Sequence, residues 1–469
     1  MKRLLFLLAL PFALEAAPVL DAKTLPLVPR YELAAAQVLK AQQAVNDKRG
    51  QPLQFAVGVP TDLQLTEGRW DDMDANTARW RLRLSSADAL SLNLQLADVK
   101  LPPSAQLWLY DTGGRVVQGP YTQKNISKDG RLWTAATPGA ESVLELHLAR
   151  SEVSAAKLRI LEVNHGFRPV LPAMTSGKSG SCNIDVVCPE GDGWRDEIRS
   201  VARITINGQL LCTGQLINNV RQDLTTPYFI TADHCQVGES ATPADSVVFY
   251  WNYLTSACGG TPDGGLGQNQ SGSTFIADDS RSDFTLVQLS QIPPPEFKVY
   301  YAGWNVGGSA PQSGVSIHHP AGNEKRISVY DSPATASDVV VSGVPVQAWQ
   351  VRWARGVTEQ GSSGGGLWDQ NHQLVGVLSG GDSSCENPGG SDYYGRLNVA
   401  WTANPTPDGQ LKAHLDPDNS GKTTLAGRDP TVAVPGMGSD SGSGVLLGGG
   451  ALDLFALLTL LVFRRARRA

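Results

Sequence analysis

Cysteine is missing from the chain until Cys182, and all six cysteines fall between positions 182 and 385 of the 469 residues. Disulfides persist in extracytoplasmic compartments and staple secreted domains. The split therefore points to a cysteine-free propeptide ahead of a disulfide-stapled domain. Basic charge is not in excess either. The 39 Lys and Arg against 45 Asp and Glu leave a net charge of −6, which carries no nucleic-acid footprint. No internal repeat is visible. The first apolar run, residues 4–14, is too short to span a bilayer. Lys2 and Arg3 precede it, and Ala16 and Ala17 follow it, so residues 1–17 read as a secretory signal.

What is present reads as β structure. Glycine (49) and proline (29) are plentiful and charge is ordinary, which suits a globular, β-rich chain. The length suggests about three domains. After the signal, apolar residues alternate with period two: Trp80, Leu82 and Leu84; Leu90, Leu92, Leu94 and Leu96; Leu144, Leu146 and Leu148. This predicts an irregular or helical lead-in and then a small β-sandwich within residues 18–178. Further on, Asn207-Gly208 between apolar runs over 204–216 is a hairpin signal. Residues 247–253 form a β-branched and aromatic run, and residues 228–232 predict a strand leading to His234.

Three segments carry chemistry: Thr231-Ala-Asp-His-Cys235, Ser282-Asp-Phe-Thr-Leu286 and Glu359-Gln-Gly-Ser-Ser-Gly-Gly-Gly366. A serine hydroxyl is a weak nucleophile at neutral pH and needs an adjacent base. His234 can take the proton of Ser363, and Asp283 can fix the imidazole tautomer. The N–H groups of Gly361 and Ser363 can serve a developing oxyanion. Glycine at 361, 364 and 365 permits such a loop. The chain order His, Asp, Ser resembles that of chymotrypsin-fold serine peptidases. Of the six cysteines, only Cys212 with Cys235 is favoured as a pair by the residues alone, because it would close the histidine loop.

A closer resemblance follows from Gly180-Ser-Cys-Asn-Ile-Asp-Val-Val-Cys-Pro-Glu-Gly-Asp-Gly193. It extends through Val248-Phe-Tyr-Trp-Asn-Tyr253, Ile317-His-His-Pro320, Glu324-Lys-Arg-Ile-Ser328, Gly356-Val-Thr-Glu359 and Ser391-Asp-Tyr-Tyr-Gly-Arg396. Over roughly residues 179–425 the chain resembles bacterial lysyl endopeptidases of the Achromobacter protease I type. The resemblance implies an all-β fold: two six-stranded antiparallel β-barrels, chymotrypsin-like, preceded by a β-rich propeptide domain. It implies Cys182–Cys385 and Cys188–Cys258 as the other disulfides. It places the substrate strand at Ser379, Gly380 and Gly381, with serine at 379 where the type member has histidine.

Carboxylates decide the expected specificity. A buried cationic P1 side chain needs a negative partner. Val357 stands where trypsin has its pocket aspartate, six residues before the nucleophile, which excludes a trypsin-type pocket. The resemblance assigns that role to Asp392, with Asp382 and Glu386 as rivals from the same region. Ser362 stands where activated trypsin-like enzymes have an aspartate, so no ion pair with a new N-terminus forms there. Lys178-Ser179 is a candidate autoprocessing site. His318 and His319 are adjacent and point to opposite faces of a strand, so no metal site is expected from them. Neither metal nor cofactor is implied.

The end of the chain changes character. Residues 429–444 are a Gly/Ser/Pro-rich linker, residues 445–463 are largely apolar, and Arg464, Arg465, Arg467 and Arg468 follow. The pattern resembles the GlyGly-CTERM sorting tails of Gram-negative bacteria, and a stable membrane anchor is the alternative. The expected organisation is signal 1–17, propeptide 18–178, peptidase 179–428, linker 429–444 and tail 445–469. The expected function is a secreted monomeric lysine-specific endopeptidase acting on proteins or peptides and handled by secretion and sorting machinery. A broader P1 preference and a non-catalytic binding module are the competing readings.

Overall fold

The computed structural model describes residues 24–45, 51–169 and 179–432. Residues 1–17, Lys178 and the apolar tail 445–463 lie outside these. Among the described residues no helix is long and apolar enough to cross a membrane. Contacts divide the chain into two compact units, Met1–Thr431 and Val432–Ala469, and every element below belongs to the first. The molecule is mostly β.

The leading region carries the short α-helix Ala35–Gln43, after the strand Arg30–Glu32, and forms two sheets. In one, Thr77–Ser85 lies between Arg30–Glu32 and Glu141–Ala149, and Gln106–Asp111 and Val117–Tyr121 follow. In the other, Ser91–Lys100 pairs with Lys157–Gly166, which pairs with Ala56–Gln64. The predicted alternation is the core pattern: Trp80, Leu82, Leu84, Leu92, Leu94, Leu96, Leu144, Leu146 and Leu148 share one buried cluster. Leu90 is the exception, since it sits in the bend before Ser91–Lys100 and is only half-buried.

The cysteine-bearing region supplies seven strands of an eight-stranded sheet and forms a ten-stranded one. In the first, the hairpin Val201–Ile206 and Leu210–Ile217 turns at Asn207 and Gly208, both at positive φ (51° and 67°), as a tight right-twisting hairpin requires. Leu210–Ile217 pairs with Tyr228–Thr231, which pairs with Phe284–Leu289. In the second, Gly314–His318, Gly366–Asp369, Gln373–Gly381 and Ser391–Arg396 lie side by side. One core joins the two sheets: Ile217, Ile230 and Leu286 from the first pack with Ile317, Trp368 and Val377 from the second.

The leading region also adds a strand to the first sheet. Leu53–Gln54 pairs antiparallel with Leu210 and Leu211. Leu53, Phe55, Ala56 and Trp133 are buried with Leu211, Val248, Tyr250 and Tyr253 in a single cluster.

Candidate active site

Adjacent strand ends bring His234 and Asp283 together. Tyr228–Thr231 and Phe284–Leu289 pair with Thr231 opposite Thr285, so the residues just beyond each end are neighbours. His234 sits in a short 3₁₀ turn after its strand. Asp283 precedes its own strand at φ 52°, a left-handed conformation that aspartate tolerates better than most residues. Its carboxylate accepts from the His234 backbone N–H (2.9 Å) and lies 2.9 Å from Nδ1. Both side chains are almost fully buried. Burial disfavours the imidazolium, but the charge and hydrogen bond of Asp283 outweigh it, with Asp233 adding, and hold the His234 pKa above its ordinary value. His234 Nε2 has no partner among the described groups. That leaves one nitrogen fixed by a carboxylate and the other available, which is the state a general base needs.

Ser363 arrives on the other sheet, in the loop that feeds Gly366–Asp369. Thr213 N–H donates to Ser363 O (2.8 Å), and Thr213 Oγ1–H donates to Gly361 O (3.0 Å). The loop therefore packs on the sheet that carries His234. A Cβ on Gly364, at φ 81°, would lie 2.3 Å from Thr231 Oγ1 and 2.9 Å from Ala232 N. The N–H groups of Gly361 and Ser363 donate to no protein group among the described residues. Two unspent donors, one on Ser363 itself and one two residues before it, form an arrangement that could serve an oxyanion.

Asp392 is fully buried on Ser391–Arg396. Oδ2 accepts from Trp353 Nε1 (2.6 Å), Thr358 Oγ1 (2.8 Å) and Ser383 Oγ (2.5 Å), and Oδ1 accepts from Ser383 N (3.3 Å). Burial pushes its pKa up, and these donors pull it back in part. It pairs in register with Gly381, where a Cβ would lie 1.9 Å from Oδ1, so the bare backbone of Gly381 touches the carboxylate. The rivals Asp382 and Glu386 are exposed. Ser379 is a bulge residue whose buried Oγ accepts from Gly395 N (3.2 Å), so its side chain turns inward. Gly364 N–H donates to Leu378 O and Leu378 N–H to Gly365 O. Beyond Leu378, no strand among the described residues pairs with that edge of residues 379–381.

All six cysteines are paired, as Cys182–Cys385, Cys188–Cys258 and Cys212–Cys235. Such bridging suits an extracytoplasmic protein. Ser179 is buried, and the next residue, Gly180, donates its N–H to Glu359 Oε1 (2.9 Å), four residues before Ser363.

Comparison with known proteins fits this arrangement. Residues 176–395 match the family model of the lysyl endopeptidase C-terminal domain, and residues 25–167 match that of the lysyl endopeptidase N-terminal domain. A lysyl endopeptidase of Pseudomonas aeruginosa is 30% identical over 381 residues, covering 74% of this chain and 79% of the relative. The chain belongs to the lysyl endopeptidase family. This family membership makes it a serine protease, with peptides as substrates. Among solved structures, the Rv3671c protease of M. tuberculosis in its active form aligns with a TM-score of 0.32 and 18% identity, covering 48% of this chain and 85% of that one. An HtrA-type protease, AlgW, with a tripeptide aligns at 0.32 and 13%, covering 47% and 65%.

The lysyl endopeptidase sequence pointed to His234, Asp283, Ser363 and Asp392, and the fold brings the first two into contact. Reading the sequence missed Trp353, Thr358 and Ser383, which hold Asp392. It also missed Asp233, whose carboxyl is pushed up to about 7 by burial and then by the charge of Asp283. Position next to the histidine was the available signal for Asp233. Trp353, Thr358 and Ser383 carried none, because their convergence is non-local.

Proposed function

We propose that the enzyme is a secreted endopeptidase that cleaves on the carboxyl side of lysine and is made as an autoprocessed precursor. The observation that carries this reading is Asp392: a fully buried carboxylate, braced by neutral donors and touching Gly381 on the open strand edge. Its hydrogen-bond donors among the described residues are all neutral, so a substrate ammonium supplies the missing charge. A peptide adds along residues 379–381 by main-chain pairing, with its P1 side chain directed at Asp392.

The chemistry then runs through this chain's own groups. Ser363 Oγ attacks the scissile carbonyl while His234 Nε2 takes its proton. Asp283 holds Nδ1–H and stabilises the imidazolium. The Gly361 and Ser363 N–H groups receive the oxyanion. His234 returns the proton to the leaving amine, and water then releases the acyl group by the same path.

The wider assignments belong to the same reading. The two peptidase sheets are taken as chymotrypsin-like six-stranded barrels with added strands, over residues 179–428. Residues 18–178 are the propeptide, released after Lys178 by the enzyme's own specificity to leave Ser179 first. Residues 1–17 export the chain, and the linker 429–444 and tail 445–469 serve sorting at the envelope of a Gram-negative bacterium. The disulfides support an extracytoplasmic setting, and the relative's name supports lysine.

The test is cleavage of matched peptides with Lys, Arg or Glu at P1 by processed protein, Ser363→Ala and Asp392→Asn. Cleavage after lysine is expected, abolished in the first variant. The second should lose about a hundredfold in kcat/KM, the scale of a buried charge losing its partner. Equal rates on Arg and Lys would overturn the narrow specificity. A Ser363→Ala precursor that matures unaided would overturn autoprocessing.

A further inference from the structure

His318 lies at the end of Gly314–His318, fully buried, and neither nitrogen of its ring is free. Nδ1 is 2.8 Å from Ser362 Oγ, and Nε2 is 3.1 Å from Ser328 Oγ. Ser328 Oγ is in turn 2.7 Å from Val357 O, and Glu359 N is 3.3 Å from Ser362 Oγ. These five groups form a chain that starts and ends in the segment leading to Ser363.

The protons along that chain have one consistent order. A carbonyl only accepts, so the single hydroxyl proton of Ser328 goes to Val357 O. Ser328 Oγ must then accept from His318 Nε2–H. A neutral ring protonated at Nε2 has a bare Nδ1, which accepts the proton of Ser362. Ser362 Oγ is left to accept from the Glu359 N–H. Every donor finds an acceptor only if the ring is neutral and in this tautomer. Burial independently favours the neutral ring, holding the His318 pKa down at about 3.

We propose that His318 is a positioning residue for the oxyanion donors, locking Ser362 and with it the flanking N–H groups of Gly361 and Ser363. Ser362 is the residue between those two donors. Its backbone is pinned by Ser362 N–H to Glu359 O (3.0 Å) and Gly365 N–H to Ser362 O (2.9 Å), and its side chain is pinned by His318. A serine cannot pair with a released N-terminal ammonium. The neutral histidine substitutes a bond that needs no cleavage, so the loop is set before the chain is cut. This rests on the serine-protease reading of Ser363 given above.

Two experiments test it. In the Ser363→Ala precursor, ring ¹⁵N spectra of His318 should show a neutral, Nε2-protonated ring across roughly pH 5 to 8. A titrating ring or the Nδ1–H tautomer would overturn the proposal, and this arm needs no activity. In the processed enzyme, Ser362→Ala should lower kcat about tenfold or more with KM little changed, as expected when a transition-state interaction is weakened. Affinity for a peptide boronate should fall by the same factor, while affinity for a cleaved product peptide should hold. His318→Asn, which keeps an acceptor near the Nδ1 position, should retain more kcat than His318→Leu. If His318→Leu does not fold, Ser362→Ala decides alone. Folded Ser362→Ala with kcat and boronate affinity within about twofold of the parent would sink the idea. An inactive parent would instead count against the function, leaving the spectrum to decide the histidine.

Discussion

With His234 as the proposed general base, that residue sets the pH dependence of the enzyme, and the sign can be worked out from its neighbours. The imidazole must be neutral to take the Ser363 proton, and it is neutral above its pKa. Burial lowers that pKa, but Asp283 raises it more and Asp233 adds to the rise. The acid limb of kcat/KM is therefore expected above the ordinary histidine value of about 6.5, with activity lost as pH falls through it. Asp233→Asn removes one of the raising charges, so the limb should move to lower pH. Profiles of kcat/KM against pH for both proteins check this, and an unmoved or raised limb would count against the assignment.

At the scale of elements, the loop that carries Ser363 depends on contact with the histidine-bearing sheet. Thr213 grips it by both N–H and Oγ1. Gly364 makes the approach possible, at φ 81° with no room for a Cβ beside Thr213 O and Thr231 Oγ1, each 2.3 Å away. Gly364→Ala should push the loop off this surface. A shift of about 1 Å can cost a hundredfold in rate, so labelling of Ser363 by an organophosphonate should slow by that order. Labelling at the parent rate would mean that the loop repacks without loss. The hairpin at Asn207-Gly208 and the strand before His234 were legible in the sequence, because turn chemistry and short runs of strand-forming residues are local. The grip of Thr213 on Gly361 was not, because nothing in either residue announces the other.

At the scale of the whole molecule, the leading region and the peptidase share a core. Phe55 is 1% exposed and packs with residues of both. Its backbone N–H donates to Gln209 O (2.9 Å), and Asn93 Nδ2 donates to Gly208 O (2.9 Å). Phe55→Ala in a Ser363→Ala chain that keeps both regions should cost roughly 3–5 kcal/mol, read as a lower urea midpoint for the peptidase transition. A change below about 1 kcal/mol would mean that this face contributes little to the stability of the peptidase region. The strand Leu53–Gln54 was not legible as a sheet addition, since two residues carry no periodicity and their partner lies far along the chain.

The sequence by itself determined the β-rich class, the order His234, Asp283, Ser363, the family and the histidine-loop bridge Cys212–Cys235. These are written in motifs, spacings and alternation, which act over a few residues. Only the tertiary structure decided what surrounds each group. It set Trp353, Thr358 and Ser383 around Asp392, placed Glu359 on Gly180, and gave His318 both of its partners. The physical reason is that a buried polar group takes whichever donors the packed chain brings within about 3 Å, and strand pairing between distant segments chooses them.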